Sequence, residues 1–149
     1  MMTKRLRILG TLVSVLGACG CSSLDNCPDG QPAREITTGK TDKAALVYES
    51  AAANALDAFP AKTQLWFKHD LGVKPLPPKV YLSFSANGTN DKGAGSIAET
   101  AGNQALIDCY DANYIVVRND TCERDFHILV VAQGASPHDN FDACGDFPE

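Results

Sequence analysis

The sequence predicts a mainly β domain, an antiparallel β-sandwich of about six strands with one N-terminal α-helix packed on it. Three observations carry this expectation. Apolar residues alternate with period two in six short stretches between residues 63 and 133. Turn chemistry rich in Gly, Pro and Asn separates those stretches. One earlier stretch, residues 42–59, carries apolar residues at three- and four-residue spacing instead.

The chain opens with positive charge, Lys4, Arg5 and Arg7, and no acid nearby. Residues 8–18 then form an apolar stretch of eleven, interrupted by Gly10, Thr11, Ser14 and Gly17. This suits the h-region of an export signal and falls short of the roughly 20 apolar residues of a membrane span. The stretch ends in Leu16-Gly17-Ala18-Cys19: a branched aliphatic, two small residues, then cysteine. That motif resembles the lipobox of bacterial lipoprotein precursors, and the resemblance covers about the first twenty residues. It implies a signal peptide over residues 1–18, cleavage before Cys19 and lipid on the Cys19 thiol. The small residues admit the protease to the backbone, and only a thiol gives the thioether to diacylglycerol. Cys21 is the weaker acceptor, because Ala18-Cys19-Gly20 before it lacks the large aliphatic. Two or more acyl chains, at about 0.8 kcal/mol per buried methylene, make such anchoring stable. Gly20 stands where inner-membrane lipoproteins of many Gram-negative bacteria carry aspartate, so the resemblance places the chain in the cell envelope, at the outer membrane rather than the inner.

Removing residues 1–18 takes three of the 13 Lys and Arg and none of the 18 acids, which leaves a side-chain charge of −8. Such a surface repels nucleic acid, which is not an expected partner. The expected partners are the membrane, through the lipid on Cys19, and an envelope protein or glycan. The remaining chain is long enough for one domain with a real core and too short for two.

Residues 19–40 are polar and turn-rich and read as a flexible tether, followed by a single domain over residues 41–149. Thr41 is a suitable N-cap, Asp42 suits a positive helix end, and Pro60 is a stop. Between them Ala45, Tyr48, Ala52, Leu56 and Phe59 make one stripe, which predicts a helix over residues 42–59. Beyond Pro60 the period becomes two. Residues 63–69 place Leu65 and Phe67 on one face and Trp66 on the other; Pro75, Pro77 and Pro78 then make a stiff connection. Residues 79–85 place Val80, Leu82 and Phe84 together, opposite Tyr81, Ser83 and Ser85. Weaker strands follow at residues 96–100 and 104–109, and stronger ones at 114–118 and 126–133. The last is apolar on both faces, the pattern of a central, covered strand.

An envelope location permits disulfides. With Cys19 acylated, five of the six cysteines remain, so at most two bridges form. If residues 104–133 make a meander, Cys109 and Cys122 flank the strand at 114–118 from opposite ends. Five strand residues at about 3.3 Å each keep those two apart. Cys144 returns to the Cys109 end, so the expected pairs are Cys109 with Cys144, and Cys122 with Cys27 or Cys21. No close CxxC pair is present, and neither a metal nor a cofactor is expected.

The sequence contains no G-x-S-x-G elbow, no H-E-x-x-H and no phosphate-binding glycine loop. His69, His127 and His138 lie in different segments, and His127, on an apolar strand, reads as structural. His138, Asp139, Asp142 and Asp146 in one segment, and Asn87, Asn90 and Asp91 in another, lack the fixed spacing of a calcium loop and read as solvated turns. Asn87-Gly88-Thr89 and Asn119-Asp120-Thr121 match a glycosylation acceptor, a pattern without force in a bacterial lipoprotein. Trp66, Tyr81, Tyr110 and Tyr114 read as core before recognition face. No catalytic residue is assigned. The function expected is a non-catalytic binding or structural module, with a small envelope hydrolase or hydrolase inhibitor as the alternative. Replacing Cys19 by Ala is expected to leave uncleaved precursor or soluble protein; membrane retention of a correctly processed mutant, assayed by fractionation, refutes the lipid assignment.

Overall fold

The longest of the period-two stretches becomes the strand around which the others assemble. The structure, a computed structural model, describes residues 27–52, 54–90, 92–100, 102–137 and 143–148. The expected signal peptide over residues 1–18, Cys19, Cys21, Asp91, His138, Asp139 and Asp142 lie outside these. Among the described residues there are ten strands and no helix: β1 (Arg34–Ile36), β2 (Lys40–Asp42), β3 (Val47–Glu49), β4 (Asp57–Ala58), β5 (Gln64–Lys68), β6 (Lys79–Ser83), β7 (Ala98–Glu99), β8 (Leu106–Tyr110), β9 (Tyr114–Arg118) and β10 (His127–Gln133). They form a four-stranded sheet, β1-β5-β9-β8, and a six-stranded sheet, β2-β3-β10-β6-β7 with β4 also on β10. The two sheets pack as a β-sandwich-like fold over a shared core that includes Leu65, Phe67, Ile115, Val117, Val80, Leu82, Ile128 and Val130.

β10 is central, as its two apolar faces suggest. Ile128, Val130 and Ala132 point into the core, while Leu129 and Val131 are half-buried on the outer face, so that face is only partly covered. Along one edge β10 pairs with β6, with His127 opposite Ser83 and Val131 opposite Lys79. Along the other it pairs first with β4 and then with β3. Between those two short ladders Ser50 fills the gap. Its N–H donates to Val130 O, and its hydroxyl accepts the Val130 N–H, each at 2.9 Å, with Ser50 fully buried. Backbone groups buried in a sheet must find partners, and here a side chain supplies the one the ladder omits.

The helix predicted over residues 42–59 is absent; that stretch holds the end of β2, a turn, β3 and β4. Asp42 does cap, but it caps a turn: Oδ1 accepts from Ala44 N at 3.0 Å and Ala45 N at 2.9 Å, and Leu46 follows at φ 53°. The apolar residues are used at period two, Tyr48 pointing inward opposite Ala132, between the outward Val47 and Glu49. Pairing with the free edge of β10 outweighs a helix propensity of tenths of a kcal/mol per residue. Gly39 is part of the same arrangement, since a Cβ there would come within 2.4 Å of the Tyr48 ring.

Part of the stretch expected as a tether, residues 19–40, belongs to the sheets. β1 runs parallel to β5, Arg34 opposite Leu65, and β2 begins at Lys40. The parallel β1–β5 pair also departs from the all-antiparallel expectation, and the strands beyond the six expected are short pieces of two or three residues. β8 and β9 form the expected hairpin, with an irregularity between Ile107 and Cys109, but β9 and β10 lie in different sheets, so residues 104–133 are not one meander.

Cys109 pairs with Cys144 (Cα–Cα 5.5 Å), as expected, and of the two partners open to Cys122 the structure takes Cys27 (4.8 Å). The two bridges mark opposite ends of the sandwich. Phe59, just past β4, donates its N–H to Phe126 O and accepts from Asn119 Nδ2 at its own carbonyl. The His127 end of one sheet and the Arg118 end of the other therefore coincide; we call this the basal end, which holds Cys27–Cys122. The apical end holds His69, Asp111 and Cys109–Cys144. Ser50→Ala is expected to lower stability by about 1–3 kcal/mol, because it orphans the buried Val130 N–H; denaturant unfolding of the mutant measures it.

Candidate functional site

The apical cluster collects the residues with the most chemical potential and engages them internally. His69 is fully buried. Its Nε2 lies 3.0 Å from Asp111 O and its Nδ1 accepts from Leu71 N at 3.2 Å, a pairing that makes the ring neutral with the proton on Nε2. Burial holds the imidazole below its ordinary value of 6.5, against the opposing pull of the Asp111 carbonyl. Burial acts to raise the Asp111 carboxyl, but backbone N–H groups of Tyr114, Asn113 and Cys144 outweigh it and hold that carboxyl low. Oδ1 takes Asn113 N at 2.7 Å and Tyr114 N at 2.9 Å, and Oδ2 takes Cys144 N at 2.8 Å. This is an acid used to close a hairpin and fasten a disulfide.

His127, half-buried on the outer face, has Nδ1 3.2 Å from Asp125 O. Among the described residues both imidazole rings bond only to backbone atoms, and the Thr41 hydroxyl meets His69 at its carbonyl oxygen rather than at the ring. The loop asparagines are likewise occupied. Asn87 Oδ1 accepts from Thr89 N and Thr89 Oγ1, and Asn90 Oδ1 from Lys92 N and Ala94 N. At the basal end Asn119, fully buried, donates to Phe59 O and Glu123 O and accepts from Thr121 N and Oγ1. The described residues hold no group of three or more His, Cys, Asp or Glu suited to a metal, and no helix long and apolar enough to cross a membrane.

The aromatic residues divide three ways. Trp66 is 7% exposed but faces away from the inter-sheet core. It stacks edge-on to Tyr114 at 5.6 Å and to Phe147 at 5.9 Å, and its Nε1 donates to Gln64 Oε1. Cys109, level with Val116 on β9, anchors Cys144, so the C-terminal residues lie across this outer face. Tyr110 carries the Lys74 ammonium 5.1 Å above its ring, and Tyr81 is half-buried.

The remaining aromatic is the one that alternation misplaces. Alternation puts Phe84 on one face with Val80 and Leu82, which are buried, yet Phe84 is 68% exposed. The cause lies one residue earlier: Ser83 Oγ accepts the Ser85 N–H at 3.0 Å and turns the chain off the strand, and Gly88 N closes the loop on Ser85 O. The Phe84 ring then rests on Phe126, centroids 5.1 Å apart. β7, only two residues long, leaves the β6 edge open here. The result is a cleft of about 240 Å³ with Leu82 and Phe126 at its floor, Phe84 as one wall, and Ser83, Ser96 and Thr100 among its lining residues. The Ser83 and Ser96 hydroxyls are 3.3 Å apart. A larger hollow beside Cys27, Asp29 and Arg124 has no large apolar side chain in its lining. The one sequence signal for the cleft is a phenylalanine meeting Ser-Ala-Asn-Gly at a strand end.

Compared with known proteins, the chain matches no family model, no curated protein and no solved structure.

The buried neutral His69 sets a pH dependence. Its folded-state value is depressed, so below 6.5 the unfolded chain binds a proton that the folded chain does not. Stability is therefore expected to be fully present above that value and to fall as pH drops toward 5, and thermal unfolding of a His69→Gln variant is expected to show a flatter slope over that window.

Proposed function

We propose that this chain is a lipid-anchored envelope lipoprotein acting as a non-catalytic binding module, with the Phe84–Phe126 cleft as its binding site. The observation that carries the reading is Phe84 itself, 68% exposed at the mouth of an apolar cleft. Covering such a side chain is worth about 1.5–3 kcal/mol, which makes it the natural anchor of an interface. At about 240 Å³ the cleft is smaller than the roughly 300–1,000 Å³ of drug-sized sites, so it suits one ring or one short apolar group. The hydroxyls of Ser83, Ser96 and Thr100 can orient a ligand, beside a Glu99 carboxylate that also lines the cleft and pairs with Lys79 at 3.4 Å. Anchoring is supported by Leu16-Gly17-Ala18-Cys19, and an oxidising compartment by the two disulfides. The hydrolase alternative has weaker support, because His69 is sealed in the fold with both ring nitrogens engaged.

The test compares two baits, residues 20–149 and the same chain with Phe84→Asp, so that Cys27–Cys122 is kept in both. After incubation with solubilised envelope, bound proteins, glycans and lipids are identified by mass spectrometry. A species held by the first bait is expected to fall roughly tenfold or more with the second, the loss of one buried apolar anchor. Equal capture by both baits rejects the cleft as the site.

A further inference from the structure

We propose that the apolar group taken by this cleft is membrane lipid: the basal end of the sandwich docks on the bilayer that holds Cys19, with Phe84 at the interface. This rests on the lipid-anchored binding-module reading and names the partner of that site.

The argument begins where the described chain enters the fold. Cys27 is fastened to Cys122, three residues past Asn119 at the basal end. Gly30 then runs so close to Lys62 that a Cβ would come within 2.7 Å of the Lys62 carbonyl oxygen. β1 continues upward in parallel with β5, Arg34 opposite Leu65. The chain therefore enters from below. From Cys19 to Cys27 is eight residues, which span at most about 29 Å even when fully extended. Without the disulfide the first strand contact would be Arg34, fifteen residues on, with a reach of about 54 Å. Cys27–Cys122 thus nearly halves the distance the domain can stand off. For comparison, the seven residues of β10 extend about 23 Å. The basal end cannot leave the surface by much more than the height of the sandwich.

Phe84 and Phe126 belong to that same end. Phe126 O accepts the Phe59 N–H, and Phe59 O accepts from Asn119, so the cleft floor and the disulfide share one hydrogen-bonded knot. An aromatic ring on a face tethered this closely meets the headgroup–acyl boundary, where apolar side chains bury about 5–10 Å deep. Charge narrows the lipid. The mature side-chain charge of −8 opposes anionic headgroups; of the basal cations, Lys62 is paired with Asp120 at 3.2 Å, and Arg124, beside Cys27, stands between Glu123 and Asp125 in the chain. Zwitterionic lipid is the fit.

The experiment uses the full lipidated protein in vesicles of phosphatidylethanolamine and phosphatidylcholine. Flotation first reports anchoring. Quenching by acyl-brominated phosphatidylcholine is then measured for three chains: wild type, whose single tryptophan is Trp66; Phe84→Trp; and Leu76→Trp, an apical position 41% exposed. Both substitutions are at exposed sites, and circular dichroism with a non-reducing peptide map verifies their folding. The Phe84→Trp chain is expected to lose roughly half or more of its added emission, as a ring at that depth should, with the other two unchanged. A floating protein whose Phe84→Trp stays bright overturns lipid docking and leaves the cleft to a protein or glycan. Equal quenching at positions 84 and 76 also overturns it, since no face is then preferred. Failure to float removes the anchor, and this inference with it.

Discussion

The structure depends on the demand of β10 for partners on both edges. Its inward residues, Ile128, Val130 and Ala132, are the centre of the core, so its backbone is shut away from water. Every N–H and C=O along it must be paired within the protein. β6 meets that demand along one edge, while β3, Ser50 and β4 share the other. The division explains why β3 and β4 are only three and two residues long: each stops where its share of the β10 edge is covered. The other short strands, β1, β2 and β7, extend β5, β3 and β6 instead.

A core assembled from short pieces needs fastening at its ends, and polar side chains and disulfides provide it. At the basal end Asn119 joins Phe59, Thr121 and Glu123, and Cys27–Cys122 secures the incoming chain. At the apical end His69 and Asp111 brace the β8–β9 hairpin, and Cys109–Cys144 pins the outgoing chain. The bridges span 95 and 35 residues, worth about 5 and 4 kcal/mol in a chain-entropy account. That is comparable with the whole net stability of an ordinary domain. The apical bridge also lays Phe147 against Trp66, which shields an aromatic strip on the outer face of the four-stranded sheet.

This economy bears on function. His69, Asp111, Asn119 and Ser50 are the polar groups a reader would first suspect of chemistry, and each is spent on backbone atoms. Apart from the Tyr48 hydroxyl and Asp57 Oδ2, buried without a hydrogen-bond partner, what stands out as unspent among the described residues is Phe84 and the cleft behind it. A protein whose polar side chains hold its frame together and whose prominent exposed ring sits at the end where Cys27 fastens the incoming chain is arranged for contact.

Some of this was legible in the sequence by itself. β9 lies where Tyr114–Arg118 alternates, and β5 and β10 match their stretches to within a residue or so, because a half-buried strand imposes period two locally. The Cys109–Cys144 pair was legible from strand ends, since a strand's length alone keeps Cys109 and Cys122 apart, whereas the choice of Cys27 over Cys21 for Cys122 was not. Three features were decided only by the tertiary structure. Residues 42–59 have helical spacing, and only the unfilled edge of β10 turns them into strands. Residues 34–36 look like spacer, and only β5 beside them and the Cys27 bridge bring them into the sheet. Phe84 continues the apolar alternation of β6, yet the Ser83 hydroxyl takes the Ser85 N–H and turns the ring outward. Local pattern determines which way a strand faces; which backbone edge needs a partner, and where a chain must leave it, is settled by residues far apart in sequence.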